Sequence, residues 1–141
     1  MSNIFDEKNE ILSTRVSWGK VGDSISGTLI DKRMVPDQFK VGEEVSVYDI
    51  KAEGGSFHQI VKKVVSPEAT TINPGEIWSV FGRGALEQQM RRIKLGQKIG
   101  LKFTEERETK KGNDQKIIKI YTSGEMDTEW LESQEVSAGE L

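Results

Sequence analysis

The stretch GALEQQMRRIKLGQKIGLKFTEERETKKGNDQKIIKIYT, residues 84–122, decides how the chain folds, because its hydrophobic period changes along it. Apolar residues first recur at helical spacing, and Gly96 follows where a helix should end. After Gly96 they alternate, in residues 97–108 and again in 115–122, on either side of a KKGN turn. The pattern predicts one helix followed by a two-stranded β-hairpin.

Upstream of this stretch the chain has the pattern of short strands joined by turns, in residues 24–33, 44–51, 56–65 and 76–82. Gly27 interrupts the first strand, and a glycine in that position indicates a bulge or a tight bend. Residues 66–76 contain two prolines and no period, so we expect a loop there. Strands joined by turns, without crossover helices, pair antiparallel.

This order of elements predicts a mainly β fold, a small antiparallel barrel of five to six strands. One short helix precedes the final hairpin, which is the arrangement of the oligonucleotide-binding (OB) fold. We expect a flexible N-terminal arm (residues 1–17), one barrel domain (18–122) and an acidic C-terminal tail (123–141). A chain of 141 residues is long enough for one such domain and its core.

The composition removes several classes of function. The chain has no cysteine and one histidine, His58, which leaves little for thiolate metal sites or nucleophile–histidine pairs. We therefore expect no catalytic residue, no metal and no cofactor. No apolar run approaches the ~20 residues of a membrane-spanning helix, and the first ten residues are polar and acidic, so a cytoplasmic protein is predicted.

The charge is distributed unevenly, although the net charge is only −3. Residues 80–121 carry 11 Lys and Arg against 5 Asp and Glu, whereas residues 122–141 carry 6 acidic residues and no basic one. A basic block followed by an acidic end indicates contact with a polyanion and a solvated or partner-binding tail.

Single-stranded nucleic acid is bound by aromatic side chains that stack on bases and by Lys and Arg that follow the phosphates. Tyr121 is predicted to be exposed, while Tyr48 and Trp78 fit a stacking role and a core role equally well. The lysines of the last hairpin either line a ligand groove or merely keep an edge soluble. The candidate contacts are Lys32, Arg33, Tyr48, Lys51, Trp78, Lys102, Arg107, Lys110, Lys111, Lys116, Lys119 and Tyr121.

The acidic tail contains one apolar pair, Trp130 and Leu131, which is its candidate partner-binding site. Two structural interpretations are open, a disordered solubilising tail or a final helix with Trp130 docked on the barrel. The functional hypothesis is a segment that recruits a partner and competes with nucleic acid for the basic groove.

The strands GTLIDKR and EVSVYDIK, and the run from GEIWSVFG to residue 122, resemble OB-fold single-stranded DNA-binding proteins of the kind coded by bacteriophages. The resemblance spans roughly Trp18 to Thr122. It implies sequence-tolerant binding of single-stranded DNA in phage replication, recombination or repair, in the host cytoplasm and without a cofactor. It also implies that the tail recruits replication or recombination proteins.

The tail departs from that family, whose tails commonly finish in an acidic and hydrophobic tip, because this chain ends in GEL. Recruitment through the last residues is therefore in doubt. Exposed strand edges on small OB domains often pair, so a homodimer is compatible with the resemblance. The alternative from another class is a virion or assembly protein whose β-barrel makes only protein contacts.

Overall fold

The structure is a computed structural model that describes residues 15–37, 40–108 and 114–139. These residues are mainly in β-strands, with two helices, α1 (Gly84–Met90) and α2 (Thr128–Gly139). The strands are β1 (Ser24–Pro36), β2 (Glu44–Phe57), β3 (Ile60–Val61), β4 (Val64–Val65), β5 (Thr70–Ile72), β6 (Ile77–Gly82), β7 (Lys98–Glu108) and β8 (Asp114–Tyr121). The predicted mainly β class is confirmed.

Six of these strands form one antiparallel sheet in the order β5-β2-β1-β7-β8, and β6 pairs with β2 beside β5. In the described part of the chain β6 and β8 do not pair with each other, so the predicted closed barrel is not confirmed. The segment 15–18 lies at this gap. The backbone N–H of Val16 donates to the carbonyl oxygen of Ser79 on β6 at 2.9 Å, and Lys116 Nζ on β8 donates to the carbonyl oxygen of Trp18 at 2.6 Å.

β1 bends at the predicted glycine. The register between β1 and β2 shifts between Ser26 and Gly27. A Cβ atom on Gly27 would collide with the backbone carbonyl of Lys51, which lies directly against it. A residue without a side chain is therefore required for the two strands to approach this closely.

Several element boundaries differ from the sequence prediction, and the expected strand 56–65 contains the short hairpin β3–β4. β2 extends to Phe57, and the expected loop 66–76 contains the short strand β5. The helix ends at Met90 and not before Gly96, because the next amides, those of Arg92 and Ile93, bond to carbonyls three residues back. Ile93 is still buried, at 6% exposure, so the helical spacing identified a core residue that lies in a turn.

A buried carboxylate, that of Asp23, joins the loop before β1 to the end of β2. Its Oδ2 atom accepts hydrogen bonds from the backbone N–H groups of Gly19 (2.9 Å), Lys20 (3.0 Å) and His58 (2.9 Å). Its Oδ1 atom lies 2.7 Å from His58 Nδ1. Burial alone would raise the pKa of Asp23, but the bonds from His58 and Lys20 outweigh it and hold this pKa below its ordinary value. The single histidine therefore has a structural partner.

Substitution Asp23→Asn should destabilise the protein by about 1–3 kcal/mol at neutral pH, because the amide has no negative charge and accepts the three backbone N–H groups more weakly than the carboxylate does. The pKa of Asp23 is lower in the folded than in the unfolded state, so its stabilisation is present above an unfolded pKa of about 4 and is lost as the pH falls through the folded value. Urea unfolding at several pH values should therefore show that the difference in the free energy of unfolding between wild type and variant shrinks below about pH 4. A difference that stays constant between pH 3 and pH 7 would contradict this role. Glu68→Gln, at an exposed position, is the matched control.

Candidate nucleic-acid interface

Side chains along β1, β7 and β8 point alternately toward the core and away from it, and those that point away form the outer face of these strands. Ile25 and Leu101 point inward and are buried, so their neighbours along each strand point outward. Strand register places the outward residues of β2, β1, β7 and β8 in two rows across the sheet. The lysine row is Ser56, Ser24, Lys102 and Lys119, and the tyrosine row is Gly54, Ser26, Gly100 and Tyr121.

Two positive charges of the lysine row lie directly opposite each other. Lys102 and Lys119 are register partners on β7 and β8, and both are exposed. Like charges in opposed positions of a sheet repel each other. Neither lysine has an ion pair with any residue in the described ranges. The pair is therefore a site of positive charge that is only partly offset by Glu105, whose pKa is held below its ordinary value by the hydrogen bond from Arg107 and also by the charge of Lys119.

Tyr121 stands beside this pair, two residues beyond Lys119 on the same face. Its side chain is 54% exposed, the larger exposure of the two tyrosines. Gly100, its partner on β7, has no side chain, and a Cβ atom there would meet the Cβ atom of Tyr121 at 4.0 Å. The predicted exposure of Tyr121 and Lys119, opposite the half-buried Ile118 and Ile120, is confirmed. An accessible aromatic ring next to lysines has the chemistry of a stacking platform.

Tyr48 is kept as a candidate for both a stacking role and a core role by the sequence, and the structure places it in the core, because it is only 2% exposed. It points into the core, and its hydroxyl donates to Glu87 Oε2 on α1 at 2.8 Å. Burial and this neighbouring carboxylate raise the pKa of Tyr48 to about 12. Val47, on the opposite face of β2, is also fully buried, so alternation along this strand does not separate core from surface.

Trp78 is half-buried and packs edge-on against Phe57, with 5.2 Å between ring centroids. Its Nε1 atom is buried and has no hydrogen-bond partner in the part of the chain that the structure describes. Only part of the indole is accessible to a ligand, and it lies on β6, away from the tyrosine row.

Two of the predicted arginines already hold carboxylates. The guanidinium of Arg33 contacts both oxygens of Asp49, at 3.0 and 3.3 Å, and this hydrogen bonding raises the pKa of Arg33. Arg107 makes the same two-pronged contact with Glu105, at 2.9 and 3.0 Å. A phosphate would have to displace these carboxylates, so both arginines are weaker candidates than unpaired lysines.

The remaining predicted lysines do not form one surface with Lys102 and Lys119. Lys32 Nζ lies 3.4 Å from the carbonyl oxygen of Arg91, on the side of α1. Lys116 lines a cleft of about 410 Å³ between the segment 15–18, α1 and β8. Lys51 lies on the outward side of β2, next to the first residues of the tail. Lys110 and Lys111 lie outside the described residues.

The acidic tail begins as a helix that is attached to the sheet. Asp127 Oδ1 accepts the backbone N–H of Trp130 at 3.1 Å, which caps the first turn of α2. Its Oδ2 atom accepts the hydroxyl of Thr28 on β1 at 2.7 Å. Trp130 and Leu131 are half-buried, and Leu131 lies against Gly96. Of the two structural interpretations of the tail, a helix is therefore the one observed for residues 128–139.

The first acidic residues of the tail lie on basic residues of the sheet. The Thr28 hydroxyl, then the Trp130 N–H and the charges of Lys98 and Lys51, hold the pKa of Asp127 below its ordinary value. Glu125 Oε1 also lies 3.7 Å from Lys98 Nζ. Sequence reasoning missed Thr28 and Lys98, because neither contact is local: Thr28 and Asp127 are 99 positions apart, and Lys98 meets the tail from another strand. Asp127 ahead of an acidic first turn was the available signal for the helix start.

No model of a known protein family matches the chain, and no curated protein or solved structure matches it either. Among the described residues, no helix is long and apolar enough to cross a membrane. The same residues contain no group of three or more His, Asp or Glu side chains placed to hold a metal ion.

Substitution Thr28→Val should release the first turn of α2 from the sheet, because valine keeps the shape of threonine but cannot donate to Asp127. We expect faster cleavage by a glutamate-specific protease at Glu129 and Glu132, measured under native conditions. The low pKa of Asp127 means that this contact is fully present at neutral pH and weakens as the pH falls through the folded value. Thr71→Val, at an exposed position of β5, should leave the cleavage rate unchanged. Equal rates for wild type and Thr28→Val would show that Thr28 does not hold the helix.

Proposed function

We propose that this chain binds single-stranded DNA without sequence preference, through the outer face of β1, β7 and β8. The observation that carries the proposal is the exposed ring of Tyr121, with Gly100 beside it and the unpaired charges of Lys102 and Lys119 next to it. Stacking on an aromatic ring tolerates any base, because every base has a π-face. Lysines that neutralise phosphates add affinity that does not depend on sequence.

The order of elements supports an OB-like arrangement as part of this proposal. β1, β2 and β6 pair in succession, α1 follows, and the β7–β8 hairpin returns to pair with the first half of β1. In such a fold the loop between the last two strands forms one wall of the ligand groove. Lys110 and Lys111 in that loop are therefore proposed to extend the positive surface of Lys102 and Lys119.

We propose a role in replication, recombination or repair of DNA, in a phage or its host, because sequence-tolerant binding serves all three. The acidic tail would then act on the same surface. Asp127 and Glu125 already lie near Lys51 and Lys98, beside the tyrosine row. Displacement of these carboxylates by DNA would free α2, with Trp130 and Leu131, to contact a protein partner.

Substitution Tyr121→Ala should weaken binding of a labelled oligo-dT by roughly 5-fold to 150-fold, since loss of one stacked base costs ~1–3 kcal/mol. The matched control is Tyr48→Phe, because it alters the other tyrosine, which is buried, and should leave the affinity unchanged. Both variants would be measured by fluorescence anisotropy at low salt, after circular dichroism has shown that they fold.

The same titration tests the whole proposal. Wild-type affinity should fall as salt is raised, because phosphate contacts release counterions. A folded wild-type protein that fails to bind oligo-dT at low salt would overturn the proposal and favour the alternative, a virion or assembly protein with only protein contacts. Equal loss of affinity in both tyrosine variants would mean that Tyr121 is not the stacking residue.

Removal of tail charge should tighten DNA binding at low salt if the tail competes for this surface. The variant Glu125→Gln with Glu132→Gln keeps Asp127, and hence the helix cap, which a deletion from residue 124 would destroy. We expect affinity several-fold higher than wild type at low salt and equal at high salt, because such surface interactions are screened beyond about 3 Å at 1 M. Glu44→Gln with Glu68→Gln removes the same charge elsewhere, and an equal gain in that control would argue against competition.

A further inference from the structure

The small hairpin β3–β4 has an unusual tip. Its strands pair Ile60 with Val65 and Val61 with Val64, so that Lys62 and Lys63 alone form the turn. Both lysines have left-handed backbone conformations, with φ of 49° and 65°. Positive φ at both central positions is the geometry of a type I′ turn, which favours Asn-Gly and disfavours long side chains.

No side-chain contact of these two lysines with the described residues compensates for this strained conformation. Neither Lys62 nor Lys63 has an ion pair or a side-chain hydrogen bond with any residue in the described ranges. Residues held in sparsely populated conformations cost stability, and such positions concentrate at binding sites. Two lysines in place of Asn-Gly therefore point to a use for their charge outside the protein.

The hairpin also exposes apolar surface beneath its charged tip. Val61 and Val64 are directly opposite each other and are 56% and 68% exposed. Ile60 and Val65, on the other face of the hairpin, are half-buried. One side of the hairpin thus faces the body of the protein, while the other presents two valines and two lysines to solvent.

The hairpin lies at the end of the lysine row. The row crosses β8, β7 and β1, continues through Ser56 of β2 and ends at Thr71 of β5, and the hairpin belongs to the connection between β2 and β5, residues 58–69. Five adjacent strands spaced ~4.8 Å apart span about 19 Å, so an extended strand of nucleic acid that leaves Lys119 along this row arrives at the β2–β5 pair from which the hairpin extends. The hairpin is therefore attached to the end of the row that lies farthest from Lys119.

We propose that the β3–β4 hairpin is a second contact for single-stranded nucleic acid. Lys62 and Lys63 bind neighbouring phosphates, and the exposed valines pack against a base between those phosphates and the lysine row. This inference rests on the proposed function and deepens it, because it lengthens the binding site beyond the outer face. Charge complementarity favours a polyanion as the occupant over an apolar peptide.

The variant Lys62→Asn with Lys63→Gly tests this directly, because it removes both charges and installs the residues that a type I′ turn prefers. The protein should melt at the same or a higher temperature, while its affinity for a long oligo-dT falls by about tenfold at low salt. The slope of log K against log salt should decrease in magnitude by about 1.4, the value for two phosphate contacts on a single strand. A short oligomer that covers only Tyr121 should bind to the variant as tightly as it binds to the wild-type protein.

Two further variants serve as controls. Lys62→Arg with Lys63→Arg keeps the charge and should keep affinity and salt slope. Arg92→Asn with Lys94→Asn removes two exposed charges from the turn after α1 and should leave the slope unchanged.

The outcomes separate this inference from the proposed function. Absence of any binding by wild type would defeat the proposed function itself. Wild-type binding that is weakened by Tyr121→Ala but not by Lys62→Asn with Lys63→Gly would defeat only the hairpin proposal. If Val61→Thr with Val64→Thr changed the oligomeric mass and left DNA binding intact, the hairpin would be a protein contact and the proposal would be wrong.

Discussion

The double pairing of β1 is the constraint on which the rest of the structure depends. This strand pairs with β2 along its length and, through residues 24–28, with β7 on its other edge. The bulge at Gly27 allows both, because a side chain there would occupy the position of the Lys51 carbonyl. The register that β7 takes from β1 places Lys102 beside Ser24, and the register of the β7–β8 hairpin then adds Lys119 to the same row. A contact between backbones thus sets the geometry of the candidate surface.

Basic residues on this protein differ in whether a carboxylate lies beside them, a difference that the amino-acid composition does not show. The chain is acidic overall, yet the outer face carries two lysines, Lys102 and Lys119, that form no close ion pair with a described carboxylate. Arg33 and Arg107 carry the same charge but are held by neighbouring carboxylates, so their fields largely cancel at a distance. The position of acidic partners, more than the number of basic residues, decides where a polyanion would be attracted.

The hairpin β7–β8 could be predicted from the sequence because one of its faces packs on the core and the other meets solvent. Alternation then separates Ile118 and Ile120 from Lys119 and Tyr121 without reference to the rest of the chain. The same reasoning failed for Tyr48, because β2 is covered on both faces at that point. Burial by distant elements leaves no trace in the period of a strand.

Other features could not be predicted because their cause is not local. The contact of Asp23 with His58 joins segments 35 residues apart, and that of Thr28 with Asp127 joins segments 99 apart. The helix limit at Met90 depends on a turn that carries Ile93 back into the core. The turn of the β3–β4 hairpin is a local feature, but it could not be predicted because two consecutive lysines are not a turn signal.

The segment 15–18 has a protective consequence for the edge of β6. Arg15 forms a parallel bridge with Ser79, and Val16 donates a hydrogen bond to the same residue. Without these residues, a strand edge next to β8 would present unpaired N–H and C=O groups to any other chain with an extended segment. The first described residues therefore act as a cover against edge-to-edge aggregation. A fragment that began at Trp18, where the sequence pattern placed the start of the domain, would lack that cover.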